Sequence, residues 1–249
     1  MKILITGHKG LIGSALFGSL KKHTLTGFDR GDTFPDEPFD LIIHTAANCV
    51  IRETIRLPEL SKENIDLTFS VFELARKYHS NLIAFSSGRL NHDSFNPYTV
   101  SKRYLEDMAR AYKDCYDVDT LVIRPETVWG KSNNNERVII KWWEAALESK
   151  PLLIFGNPEK ELPPIYIDDF NHEMLLLIKD FEAFKNQVVT ISGQIRKAID
   201  IAQAIINLTD SGSDIMFLTP EITQPQTCEK AMFTSRVSFE ESMKKFINY

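Results

Sequence analysis

Tyr98-Thr-Val-Ser-Lys102 sets a phenol and an ammonium four residues apart, which is one face of a helix. A free tyrosine has a pKa of about 10, too high for a base at neutral pH. A nearby cation favours the phenolate, and lowering the pKa by about three units takes roughly 4 kcal/mol. The lysine also carries donors that can reach a cofactor ribose. A tyrosine and a lysine at this spacing occur in many purely structural helices. Ser86-Ser87, at the end of the apolar run Leu82-Ile-Ala-Phe85, changes that weighting. A serine hydroxyl there can hydrogen-bond a substrate alcohol or carbonyl while the tyrosine moves the proton.

A second constellation lies near the start of the chain. Thr6-Gly7-His8-Lys9-Gly10-Leu11-Ile12-Gly13 separates the apolar run Lys2–Thr6 from a stretch, Leu11 to Lys22, whose apolar residues have helical spacing. Glycines at 7, 10 and 13 let a backbone turn tightly and approach a pyrophosphate at a helix N-terminus. Three such glycines alone are weak evidence, since a strand-to-helix turn can hold one or two for its own sake. Their position between a first strand and a first helix, with a second strand that ends at Asp29, adds weight. A carboxylate there can accept hydrogen bonds from an adenosine ribose diol, which favours NAD. Arg30 and Lys9 pull toward NADP, because either can pair with an extra phosphate. Arg30 reads equally well as a solvated surface charge.

These residues need a scaffold, and the rest of the pattern supplies one. Thr24–Phe28, Leu41–His44, Leu82–Phe85 and Leu121–Ile123 read as strands, the last ended by Arg124-Pro125. Asn64–Tyr78 and a segment from Pro97 to about Tyr112 read as helices. The alternation predicts an α/β chain with a Rossmann-type, doubly wound parallel sheet, whose ligand lies beyond the carboxyl ends of the strands. From Asp29 to Asp40 is only 11 positions, rich in Gly, Pro and Asp. A parallel crossover needs about a dozen residues or more, so the usual third strand and its helix are missing and residues 24–28 form an edge strand.

With 249 residues, 43% hydrophobic and 25% charged, the composition is that of a globular protein. No apolar run approaches the roughly 20 residues that cross a bilayer, and no secretory leader is visible. The net charge of −5 gives no reason to expect nucleic acid. Cys49, Cys115 and Cys228 are far apart and odd in number, with no metal-type spacing, which fits a reduced cytoplasmic setting.

Taken together the motifs resemble the extended short-chain dehydrogenase/reductases, the nucleotide-sugar epimerase/dehydratase group. The similarity includes Gly7, Gly10 and Gly13, the Ser87/Tyr98/Lys102 set, Asp40-Leu-Ile-Ile-His-Thr-Ala-Ala47, and Asn64 before a helix. It continues through Arg124-Pro-Glu-Thr-Val-Trp-Gly130 and Ile165-Tyr-Ile-Asp-Asp169. The resemblance implies a dinucleotide-binding domain over 1–130 and about 165–193, and a smaller C-terminal substrate domain over about 131–164 and 194–249. It implies Ser87, Tyr98 and Lys102 as catalytic residues. It assigns the cofactor to Gly7, Lys9, Gly10, Leu11, Ile12 and Gly13, to Asp29, Arg30, Ala46 and Ala47, and to Tyr98, Lys102 and Pro125. It further implies a nucleotide-sugar substrate and a homodimer through the helices that hold Asn64 and Tyr98.

Departures from the pattern are informative. Dehydratases of the group follow the catalytic hydroxyl residue with an acidic pair, whereas Ser87 is followed by Gly88 and Arg89; this argues against dehydration. Ser87 to Tyr98 is 11 positions, short for the group, which suggests a trimmed substrate-side loop. The arginine often found before the late Asp-Asp pair is missing from Glu161-Leu-Pro-Pro-Ile. His92-Asp93 and Asn133-Asn-Asn135 read as loop material and Cys49 as a plain small side chain, while Trp142-Trp143 lies in a helix where the group contacts substrate and reads about as well as one core and one interface residue. The expected activity is an NAD(P)-dependent nucleotide-sugar epimerase or oxidoreductase. The alternatives are an NAD(P)H-dependent reductase of a keto-sugar or small carbonyl compound, and a non-catalytic dinucleotide-sensing regulator.

Overall fold

A computed structural model describes residues 1–91, 95–131, 137–219 and 231–247. His92-Asp93, Asn133-Asn-Asn135 and Cys228 lie outside the described residues. The first half of the chain runs β1 (Lys2–Thr6), α1 (Leu11–Ser19), β2 (Thr24–Phe28), β3 (Leu41–His44), α2 (Ile51–Arg56), α3 (Glu59–Tyr78) and β4 (Asn81–Phe85). A 3₁₀ turn (Gly88–Asn91) leads into α4 (Pro97–Tyr116), β5 (Thr120–Pro125), β6 (Thr127–Trp129) and α5 (Val138–Leu147). Next come β7 (Leu152–Phe155), β8 (Glu161–Leu162), β9 (Pro164–Tyr166), α6 (Ile167–Lys179) and α7 (Phe181–Phe184). The chain continues through β10 (Val188–Ser192), β11 (Arg196–Lys197), α8 (Ala198–Thr209), β12 (Ile215–Leu218), β13 (Phe233–Thr234) and α9 (Phe239–Ile247).

Seven parallel strands form the central sheet in the order β13-β10-β5-β4-β3-β1-β2. The register aligns Ile5, Ile43, Ile83 and Leu121 in one row across four strands. Because side chains alternate along a strand, that row and its equivalents share one face. They pack with α1 residues such as Leu16 and α6 residues such as Phe170 and Met174. Leu4, Ile42, Leu82, Ala84 and Val122 point to the opposite face, into Val71 and Phe72 of α3 and Leu105 and Ala109 of α4. Both faces are covered, which explains why β3 reads as an unbroken apolar run and is buried throughout.

β2 is the edge strand beside β1, as the short link to β3 predicts. The 29–40 segment contains no helix and passes directly to the far side of β1. Two element boundaries differ from the sequence reading. α3 starts at Glu59, five positions before Asn64, because Pro58 already has helical dihedrals (φ −59°, ψ −23°) and opens the helix. α4 continues to Tyr116, where Asp117 in the left-handed region (φ 57°) ends it.

The later segments build a smaller layer against the same core. α5, α8 and α9 contribute Ile140, Ile201, Ile205 and Met243 to one apolar cluster with the sheet face that α1 and α6 cover. Trp129 anchors this junction, with ring centroids 4.9 Å from Tyr166, 5.5 Å from Phe239 and 5.7 Å from Phe246. Trp142 is buried and donates to the Leu153 carbonyl at 2.8 Å, and Trp143 packs edge-on against Phe246 at 4.8 Å. Both tryptophans thus have partners within the chain. The stretch 194–249, read from sequence as wholly in the second domain, sends β13 back to pair with β10 at the edge of the central sheet. That pairing involves two residues, too few to leave a sequence signal.

Candidate active site

The carboxyl ends of β1, β3, β4 and β5 open onto a cleft of about 870 Å³. The glycine turn forms one wall. Gly7 has φ +73°, and a Cβ there would stand 2.8 Å from the Ala46 backbone; a Cβ on Gly13 would stand 2.1 Å from the Gly7 carbonyl. Both contacts require glycine, so that α1 starts hard against the turn. Gly10 occupies the N-cap of α1 with no side-chain cap, and the first N–H groups of a helix have no intrahelical partners. Leu11, Ile12 and Gly13 line the cleft at this helix end. Such a cradle fits the pyrophosphate of a dinucleotide.

Asp29 lies at the end of β2 and also lines the cleft. Its carboxylate accepts the Lys9 N–H at 3.0 Å and the Arg30 N–H at 2.8 Å, which fixes its orientation. Lone pairs remain for a diol. Lys9 is not among the cleft-lining residues, and its ammonium faces Asp32 at 3.9 Å. Its part here is structural, through its backbone. Arg30 lines the cleft, but its guanidinium donates to Asn48 Oδ1 at 2.7 Å and lies 3.4 Å from Glu63 Oε2. Neither cation stands free to meet an extra phosphate. Ala46, Ala47 and Pro125 line the cleft farther in.

The second wall carries Ser87, Tyr98 and Lys102, all buried. Asn96 caps α4 by accepting the Thr99 N–H at 3.0 Å, while Thr99 Oγ1 accepts the Asn96 N–H at 3.0 Å. This reciprocal cap holds Tyr98 in the first turn. The Ser87 side chain, in the same cleft lining, favours the ionised form of Tyr98. Lys102 donates to the Phe85 carbonyl at 2.7 Å, and its Nζ lies 5.9 Å from the Tyr98 ring centroid.

Electrostatics differ from the sequence expectation in one respect. Burial, and after it the neighbouring Cys49, pushes the Tyr98 phenol up to about 12, against the Ser87 side chain and the Arg89 and Arg137 guanidinium groups. Burial also draws the Lys102 ammonium down to about 8. Desolvation therefore outweighs the helpful cations while nothing else is bound. Tyr98 is a neutral phenol at pH 7, ready to donate.

Several functional candidates were not visible in the sequence. Glu106, buried on α4, accepts the Ser86 hydroxyl at 2.5 Å and both arms of Arg124 at 2.8 Å. Arg124 in turn reaches Asn91 Oδ1 at 2.5 Å, so the strand end and the 3₁₀ turn share one brace. Glu126, Arg137 and the exposed Cys49 also line the cleft. The one signal available in the sequence is the strand end at Arg124-Pro125.

Comparison with known proteins places the chain among enzymes. A family model described as "NAD dependent epimerase/dehydratase family" matches residues 3–192. A UDP-glucuronate 4-epimerase of Thermodesulfobacterium geofontis is 22% identical over 90% of this chain and 77% of its own length. A dTDP-glucose 4,6-dehydratase of Salmonella typhimurium is 25% identical over 84% of this chain and 77% of its own length. The crystal structure of UDP-glucuronic acid 4-epimerase from Bacillus cereus, in complex with UDP-glucuronic acid and NAD, superposes with a TM-score of 0.87 at 20% identity, covering 100% of this chain and 98% of that one.

Proposed function

This chain belongs to the NAD dependent epimerase/dehydratase family, and we propose that within it the protein inverts a carbinol centre of a nucleotide sugar, with Ser87, Tyr98 and Lys102 as its catalytic residues. The observation that carries the proposal is that Ser87, Tyr98 and Lys102, all buried, line the same cleft as the glycine turn and Asp29. NAD, when bound, supplies the hydride acceptor and later the hydride donor. Gly10, Leu11, Ile12 and Gly13 would hold its pyrophosphate, and Asp29 and Lys102 its two riboses.

Ser87 would orient the reacting oxygen and Tyr98 would exchange its proton. A neutral phenol suits the step that returns a proton to a keto oxygen. The reverse step needs the phenolate, which Lys102, Arg89 and Arg137 favour by their charge. The segments 131–164 and 194–249 would carry the sugar nucleotide in a substrate lobe. No helix among the described residues is long and apolar enough to cross a membrane. A cytoplasmic homodimer through α3 and α4 belongs to the same reading, supported by the unpaired Cys49 and Cys115 and by the exposed Phe69 and Val100 on those helices.

The Gly88–Arg89 sequence after Ser87, in place of an acidic pair, supports an epimerase over a dehydratase. The test is stoichiometric. Purified protein is incubated with UDP- and dTDP-hexoses while the reduced-nicotinamide absorbance is followed. Interconversion of isomers without added cofactor and without net absorbance change is the expected result. One reduced cofactor consumed per product would instead identify a reductase.

A further inference from the structure

An arginine is charged at every physiological pH, so a guanidinium drawn out of water calls for an anionic or polar partner. Two enclosed arginines have one. Arg124 is gripped by Glu106, and Arg196 lies 2.5 Å from Glu240. Arg89 differs from these two. It is partly buried and lines the cleft, yet no side chain or carbonyl of the described residues makes a hydrogen bond or ion pair with its guanidinium. Burial draws its pKa down, opposed by the charges of Tyr98 and Glu126, which act on it across space.

The backbone that carries Arg89 is held rigidly. Its N–H donates to Ser87 Oγ at 3.3 Å. Gly88 lies flat against Glu126, where a Cβ would come within 2.2 Å of the carboxyl carbon. Asn91, at the end of the same turn, is held by Arg124 at 2.5 Å. The guanidinium is thus presented from a braced turn two residues beyond Ser87, in the same cleft lining as Ser87 and Tyr98, with no donor used among the described residues. Preorganisation of this kind favours binding because little ordering remains to be done.

Granting the nucleotide-sugar reading, on which this inference depends, we propose that Arg89 pairs with a carboxylate on the reacting sugar itself, so that the substrate is a nucleotide-linked uronic acid. The position selects the anion. A group close to Ser87 and Tyr98 meets substituents one or two bonds from the reacting carbon, whereas the diphosphate is carried on the anomeric carbon. The planar fork of a guanidinium matches a carboxylate with two parallel hydrogen bonds. Glu126 limits the excess positive charge without neutralising the pocket, since Arg137 also faces Tyr98.

Calorimetric titration of the NAD-loaded protein tests this with UDP-glucose and UDP-glucuronate, dTDP-glucose and dTDP-glucuronate, and UDP and dTDP alone. In the wild type the uronate of at least one pair binds about tenfold or more tightly than its neutral partner, the scale of one charge-assisted bidentate contact. Arg89→Met reduces that ratio to about threefold or less, and Arg89→Lys retains an intermediate ratio. Retained NAD binding by both variants verifies their fold. Tighter binding of the neutral sugars by the wild type overturns the proposal. So does an Arg89→Met variant that loses as much affinity for UDP or dTDP alone as for the uronates, because Arg89 would then hold the diphosphate. Binding of none of the six compounds would overturn the nucleotide-sugar reading as well, whereas selective failure of the uronates overturns this inference alone.

Discussion

At the scale of single residues the cleft divides its labour between proton transfer and cofactor grip. On the proposed mechanism Tyr98, whose phenol burial pushes up to about 12, exchanges the proton and holds little of the dinucleotide. Tyr98→Phe therefore keeps NAD affinity within a few-fold and lowers turnover by roughly 10²–10⁴; near-normal turnover would remove Tyr98 from the mechanism. Lys102→Met, by contrast, damages both binding and rate, because one ammonium serves both. On the same proposal Asp29 sets cofactor choice. Its carboxylate is held by the Lys9 and Arg30 amides, and would repel a 2′-phosphate. NAD should bind more tightly than NADP, and Asp29→Ala should narrow the gap in a calorimetric titration of both dinucleotides. Tighter NADP binding by the wild type would show that Arg30 and Lys9 govern the choice instead.

At the scale of elements, α4 carries Tyr98 and Lys102, and its N-terminus holds the first of them. The reciprocal Asn96–Thr99 cap fixes the first turn, where Tyr98 sits between the capping residues. Asn96→Ala costs about 1 kcal/mol of stability, or roughly 2–4 °C in Tm for a chain of this size. If the cap also aims Tyr98, kcat falls several-fold in the folded variant while NAD affinity is retained. A lower Tm with unchanged kcat would confine Asn96 to a stabilising role. The brace from Glu106 through Arg124 to Asn91 does for the 3₁₀ turn what the cap does for α4. Together they fix Ser87 and Tyr98 from two independent elements.

At the scale of the molecule, a polar seam crosses the core. His44 is buried on β3; its Nδ1 shares a 2.8 Å hydrogen bond with Thr6 Oγ1 on β1, and its Nε2 lies 3.4 Å from Thr68 Oγ1 on α3. Burial, followed by the charge of Lys102, draws its pKa down to about 3. The folded protein therefore excludes a proton that the unfolded chain accepts below about 6.5. Stability from this group is present above that pH and is lost as pH falls from about 6.5 toward 3. The loss approaches about 1.4 kcal/mol per pH unit, or about 2 kcal/mol by pH 5. Urea unfolding of wild type and His44→Gln between pH 7 and pH 5 isolates it. Parallel pH dependences in the two proteins would show that His44 takes up its proton without unfolding.

The glycine turn, the strand-ending serines, the Tyr98/Lys102 spacing and the edge position of β2 were all legible in the sequence. Each depends on neighbours within a dozen or so residues, where covalent geometry alone limits what the chain can do. The helix starts were less legible: Pro58 moved α3 forward because a proline dihedral, not apolar spacing, begins that helix. Tertiary structure alone decided the electrostatics. Tyr98 is a high-pKa phenol and not a lowered one, Lys9 lies outside the cleft lining, Arg30 is tied to Asn48, and Arg89 lines the cleft with no hydrogen-bond or ion-pair partner among the described residues. The physical reason is common to all four. The energy of a charge depends on how much water surrounds it and which groups from distant segments lie opposite, and neither quantity exists until β1, β3, β4, α3 and α4 have packed together.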